Sequence, residues 1–485
     1  MLTRNVAKLS VGELGSRVPL LLLEVTLARL LGPALYGVWS VIQTFATYGN
    51  FLHFGVVSSL GRREPGLIER GERDEVLAYR AASYGFQIVM IASVAALFLS
   101  IYMFNETAFD SVGGLAIAIA VLVVIMAQQI TLTTQASAMN EYKVIESSAA
   151  RLIYAFLFLI IGIVVVRFQP PLLWLTIGWA GSLFVALGVL NVMARGILVI
   201  PTIDHARTAF LLKDGFPIML QGLLRFGLMS IDKLAVFAVA RPEAVGYYGI
   251  GSLAAGVTGL LGTMIARVSL PTLLRMRERA GAPALMQAEF AQMLALIQSI
   301  TYGVLFILCA FSPILVYFVL PAYNPAMQVI GVLAIAGGFA GLSQAMSDVA
   351  MSLGVKAAVL LNTSTILAFE ALFLAVAWRL GAGIEGMAIA VLVAMFLMCG
   401  RALWLAFRAI GLPPSQALQR LRAMALLACV VTAICLGVLE LQIMLLGQIN
   451  QDTRGFLALN FLLLLSILGG LWYGLKRLRR NLDAG

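Results

Sequence analysis

Charge is what this sequence has little of. Only 12% of its 485 residues are Asp, Glu, Lys or Arg, while 61% are hydrophobic. A soluble domain carries about a quarter charged residues, so these few could not cover a water-soluble chain of this length. The same apolar content excludes intrinsic disorder. Cysteine is scarce too. Cys309, Cys399, Cys429 and Cys435 all lie in apolar runs without CxxC spacing, and predict small packing residues, neither a disulfide framework nor a zinc site. His53 and His205 are the only histidines, too few and too far apart for a metal site; His53 predicts a hydrogen-bonded packing role. No GxxxxGK[ST] occurs, which excludes ATP hydrolysis by a P-loop. Gly381, Gly383 and Gly386 spell GxGxxG, but a helix and not a strand precedes them, so they predict a helix-connecting turn.

What is there is a succession of long apolar runs. A bilayer core of roughly 30 Å takes about 20 apolar residues per helix, and the runs predict fourteen spans: 11–31, 38–59, 81–104, 112–134, 148–166, 172–194, 215–237, 245–269, 289–311, 326–351, 357–378, 386–406, 423–446 and 456–475. They lack the two-residue alternation of a membrane barrel, so the expected class is an all-α, polytopic integral membrane protein. The net charge of +10 would suggest nucleic acid in a soluble chain; here it reports orientation instead. With the N-terminus inside, 22 of the 33 Lys and Arg residues fall on inside segments and four on outside connections. That bias predicts both termini in the cytoplasm.

The first outside turn, Gly32 to Ser40, reads GPALYGVWS, and the turn after the seventh span, Arg241 to Ser252, reads RPEAVGYYGIGS. Both place a Pro and then a Tyr-Gly before the next span. The preceding helices carry Arg17 and Glu24 in one case, Arg225 and Asp232 in the other, each pair seven residues apart and so on one helical face. Six spans separate the copies. An even number implies parallel repeats: two six-helix lobes around a central cavity, a transporter architecture. The expected division is 1–200, 201–410, and a pair of additional helices with a basic tail over 411–485.

These stretches, together with FSPILVYFVLPAYNPAMQVIGVLAIAG and GAGIEGMAIA, resemble the polysaccharide (O-antigen type) flippases of the multidrug/oligosaccharidyl-lipid/polysaccharide (MOP) exporter superfamily, over nearly the whole chain and in matching order. The resemblance implies a V-shaped two-lobe fold in the bacterial cytoplasmic (inner) membrane. It also implies export of lipid-linked oligosaccharide by alternating access, alongside other polysaccharide assembly proteins. Such a carrier is no enzyme and needs no cofactor beyond a coupling ion, H⁺ or Na⁺. A multidrug or small-solute exporter of the same superfamily is the nearest rival. A polysaccharide polymerase or membrane glycosyltransferase would need a sizeable loop or catalytic domain, which the spans leave no room for.

A charge near the bilayer centre costs about 2.5–3.5 kcal/mol, and so faces a bundle interior or a wet cavity. A diphosphate and its sugars cannot cross hydrocarbon, whereas arginine binds phosphate oxygens bidentately and stays charged when desolvated. Arg17 and Arg225, with Arg267 third, are therefore the candidate head-group residues. Glu24, Asp232, Asp348 and Glu370 are the candidates for charge balance and for proton or ion coupling. The competing reading makes these charges ion pairs that fasten helices, Glu13 with Arg17 for example. Arg29, Arg151 and Arg401 lie near span ends and are expected to snorkel.

Overall fold

The computed structural model describes residues 2–105, 114–278 and 283–447. Among them every regular element is helical: α1 (Leu2–Gly49), α2 (Val56–Glu69), α3 (Arg73–Phe104), α4 (Leu115–Asn140), α5 (Val144–Val165), α6 (Pro171–Met193), α7 (His205–Leu228), α8 (Ile231–Val239), α9 (Pro242–Glu278), α10 (Pro283–Val319), α11 (Met327–Ser352), α12 (Lys356–Arg379), α13 (Gly383–Ala409) and α14 (Pro414–Gly447), with short 3₁₀ turns at Asn50–His53 and Pro321–Ala326. Among the described residues eleven helical stretches are long and apolar enough to cross a membrane.

The difference from fourteen has local causes. Spans 11–31 and 38–59 share α1, which bends at Gly32 (φ 71°) without a loop, because glycine accepts a positive φ and Pro33 restarts the helix. Span 215–237 is broken between α7 and α8 by Met229 and Ser230. Span 456–475 lies outside the described residues.

The chain forms two compact units, Met1–Gly227 and Leu228–Gly485. In the first, α1 packs on α5, α5 on α6, and α4 on α6, while α3 and α2 flank α4. Its centre is aromatic: Trp39, fully buried, lies edge-on to Trp179 at 5.6 Å, and Phe158 stacks on Trp179 at 6.0 Å. The segment after α6 returns along α3, where the Thr202 N–H donates to the Ala81 carbonyl (3.0 Å).

In the second unit α11 is the hub, packed chiefly on α9 and α13. The α9–α11 seam is made of small residues: a Cβ added at Gly337 would overlap the Ala255 carbonyl oxygen, and one at Gly341 that of Gly259. This closeness lets Thr258 Oγ1 donate across the seam to the Ala334 carbonyl (2.8 Å), the small-residue packing that lipid-embedded helices favour. Three cysteines are buried free thiols, as expected of packing residues, but Cys429 is exposed on α14.

Candidate functional site

Each unit holds a carboxylate on the helical arm ahead of a proline that opens the next arm, Pro33 within α1 and Pro242 at the start of α9. In the first, Glu24 lies on the arm of α1 before Gly32. Its oxygens accept hydrogen bonds from Tyr36 Oη (3.1 Å) and Gln43 Nε2 (2.6 Å), both beyond the bend. In the second, Asp232 occupies the first turn of α8, where backbone N–H groups are uncommitted and the helix end is electropositive. It accepts from the Lys233 backbone N–H (2.7 Å) and from Tyr248 Oη (2.8 Å), which reaches back from α9 across the Arg241–Pro242 junction. Tyr36 and Tyr248 are both buried, at 2% and 0% exposure. The Tyr-Gly signature thus marks, in both units, a phenol that holds the acid of the preceding helical arm. The tyrosine follows its acid by 12 residues in one and 16 in the other, a difference of about one helical turn.

The second unit adds a further carboxylate. Glu370 on α12 is fully buried, and neither of its oxygens has a hydrogen-bond partner among the described residues. α12 packs against α8, and Glu370 lies within electrostatic range of Asp232. Asp348, half-buried on α11, accepts from Gln344 Nε2 one turn earlier (2.7 Å).

Arg17 is exposed on α1, and Arg225 is half-buried in the last turn of α7. Arg267 lies in α9, and its side chain is outside the described residues, as is that of Glu13. Arg151, expected to snorkel, lines a cavity of about 230 Å³ in the first unit together with Asn50, Gln128, Thr131, Gln135 and Tyr154. Asn50 Oδ1, Gln128 Oε1 and Thr131 Oγ1 make no hydrogen bond to the described protein, and the cavity is roomy enough for water to satisfy them. His53 Nδ1 accepts from the Gly55 N–H (2.8 Å), which fits its expected packing role.

Sequence reasoning missed one charged cluster altogether. Arg80 and Glu64 counted only as polar residues of an inside segment, yet both side chains are 0% exposed. Arg80 Nε donates to Glu64, and Arg80 Nη2 donates to Glu141 (2.8 Å). Ser137 (3.0 Å) and Asn140 (2.6 Å) complete the shell of Glu64, while Arg73 and Lys143 also reach Glu141, each at 2.8 Å. Burial pushes the Glu141 carboxyl up, but hydrogen bonds from Lys143 and Arg80, with the charges behind them, bring it below the ordinary carboxylate range. The signal was present in α2, whose apolar residues Val56, Leu60 and Leu67 recur on one helical face and are buried with Glu64.

The helical order and the packed bundles are those of a multi-pass membrane protein. The structure is similar to lipid II flippase MurJ in an inward closed conformation (TM-score 0.70, 15% identity, 98% of this chain and 99% of that one). It is also similar to an inward-facing multidrug resistance MATE family transporter of the MOP superfamily (0.64, 13%, 84% and 98%) and to a mutant form of the Vibrio cholerae MATE transporter VcmN (0.56, 16%, 84% and 95%). No curated relative matches the sequence. A family model described as polysaccharide biosynthesis protein matches residues 26–325, and the chain belongs to that family.

Proposed function

We propose that this protein is a flippase that moves a polyprenyl-diphosphate-linked oligosaccharide from the inner to the outer leaflet of the bacterial cytoplasmic membrane by alternating access. One conjunction carries the reading: a chain of a polysaccharide biosynthesis family has the fold of transporters. Polysaccharide assembly needs a transporter where its lipid-linked intermediate, with a head that cannot enter hydrocarbon, must change sides. MurJ, similar in fold, is named a lipid II flippase.

Arg17 and Arg225, with Arg267, bind the diphosphate; their fixed charge and planar donors suit it. Asp232 and Glu370 form the coupling element. Two carboxylates this close and this buried are costly as a pair of anions, and a proton or Na⁺ that balances them ties the charge of α8 and α12 to the transport cycle. Glu24, held by Tyr36 and Gln43, plays the corresponding part in the first unit, and Asp348 supplies further charge balance. Both termini lie in the cytoplasm, and the division 1–200 and 201–410, with 411–485 appended, marks the duplicated sequence, whereas the compact units divide after Gly227. The protein works beside other polysaccharide assembly proteins and binds no nucleic acid.

The decisive experiment deletes the protein and assays lipid-linked glycan on each leaflet. Glycan accumulating on the inner leaflet is expected; an unchanged leaflet distribution overturns the reading. Arg17→Ala and Arg225→Ala should each abolish surface glycan while the protein stays in the membrane. Full export in both variants removes them from the site.

A further inference from the structure

We infer that the first unit carries a binding site for an anionic phospholipid of the cytoplasmic leaflet, in the seam between α3 and α7. The site has an apolar part and a cationic part. The apolar part is an open groove of about 450 Å³ walled by Phe54, Phe86, Leu212, Phe216 and Pro217, with Lys213 at its edge. Phe54 and Phe216 remain 36% and 44% exposed, so a chain lying there would cover surface that the protein itself leaves open.

The cationic part begins with Arg63 of α2. Its guanidinium lies against the rings of Tyr79 on α3 (4.5 Å) and Phe210 on α7 (4.3 Å), which meet edge to face with centroids 6.3 Å apart. The rings neutralise none of its charge, and its N–H groups have no hydrogen-bond partner among the described residues; Nε is buried without one. Nearby acids are spent elsewhere. Asp214 is bound by Arg62 and Ser59, Glu75 and Asp204 by Arg207, and Glu72, which feels the Arg63 charge, by Arg70. Lys213 also lacks a partner among the described residues. Phe210 and Lys213 stand three residues apart on α7, and Tyr79 and Phe86 seven apart on α3, so the stacked arginine and the groove belong to the same pair of helix faces.

Two uncommitted cations beside an apolar groove match an amphiphile with one anionic phosphate and a hydrocarbon tail. Arginine and lysine divide that task as expected, a planar fork for oxygens and a mobile point charge. The charge bias of the chain puts Arg63 and its neighbours on the cytoplasmic side, where basic pockets between membrane helices meet anionic head groups. The site requires neither the proposed glycan substrate nor its movement, so the two readings fail separately.

The test uses the full-length protein in nanodiscs with photoactivatable phosphatidylglycerol, the reactive group being placed in the acyl chain. Labelling of α3 and α7 near Phe86 and Phe216 is expected. It should fall about fivefold for each lost charge in Arg63→Gln and Lys213→Gln, and fall again in Leu212→Trp, which fills the groove. Lys213→Arg should keep it. Lys213 is exposed, so its variants leave the fold undisturbed and remain informative even if Arg63→Gln does not fold. The inference is overturned by equal labelling with a phosphatidylcholine probe or by undiminished labelling in Lys213→Gln. It is equally overturned if glycerol phosphate alone displaces the probe, marking a head-only anion site, or if polyprenyl phosphate displaces it far better than phosphatidylglycerol, marking a substrate site.

Discussion

At the scale of single residues, the charges of this protein differ by what surrounds them more than by what they are. Arg62 is an exposed ion-paired cation, while Arg80, eighteen positions later, is sealed between Glu64 and Glu141. Removing one partner of a fully buried pair leaves an uncompensated charge, at a cost of about 3–5 kcal/mol. Arg80→Ala should therefore sharply lower the melting temperature in detergent, whereas Arg62→Ala should barely change it; equal effects would count against the buried network. Glu141 titrates in the opposite sense to a group stabilised when protonated. Its folded carboxyl lies below the ordinary value of 4.5, so its pairing stabilises the protein at neutral pH and is lost as the pH falls from about 4.5 through the lower folded value. Melting curves across that window should show an acid-side loss that Glu141→Gln reduces. Only the apolar stripe of α2 around Glu64 was legible in the sequence, because Glu64, Arg80 and Glu141 come from separate segments and only their juxtaposition makes them structural. Glu24 and Asp232 were legible, since an acid inside an apolar run is conspicuous on its own. The phenols that hold them appeared in the sequence only as part of a turn motif.

At the scale of the element, hydropathy located the spans but not their interruptions. Nothing in apolar content distinguishes a loop at Gly32 from a bend within one helix, and the structure has the bend. The α7–α8 break is likewise invisible to a window average, because Met229 and Ser230 are too few to lower it. α2 looked like loop because its charges outweigh its apolar stripe. Helix packing is where substitution should tell most. Gly337→Ala places a methyl against the Ala255 backbone, and overpacking of this kind costs about 1–3 kcal/mol. Gly400→Ala, where a Cβ meets nothing within 4 Å, is the control. Thermal melting of both should separate them clearly, and a harmless Gly337→Ala would mean that α9 and α11 are not so closely joined. Tyr36→Phe and Tyr248→Phe remove one hydrogen bond to an acid each, at about 1.5–3 kcal/mol if the acid is charged. Transport measured against pH should move in both variants, and unchanged profiles would detach the acids from coupling.

At the scale of the whole molecule, the sequence predicted an all-helical membrane protein, and that prediction rested on a quantity no local error disturbs, the shortage of charge. Orientation rests on the distribution of cations alone. A cysteine placed at position 70 should react with a membrane-impermeant reagent only from the cytoplasmic side, and one at position 106 only from outside, in a background where the exposed Cys429 is replaced. Reversed labelling would invert every loop. The Tyr36–Glu24 and Tyr248–Asp232 contacts carry a mechanical corollary. Acid and phenol stand on opposite arms of an angled rod, bent within α1 in one unit and jointed between α8 and α9 in the other, so the bond between them acts as a stay across an elbow. Any event that discharges the acid slackens that stay, and the angle of the rod and the occupancy of the carboxylate become two readings of one variable.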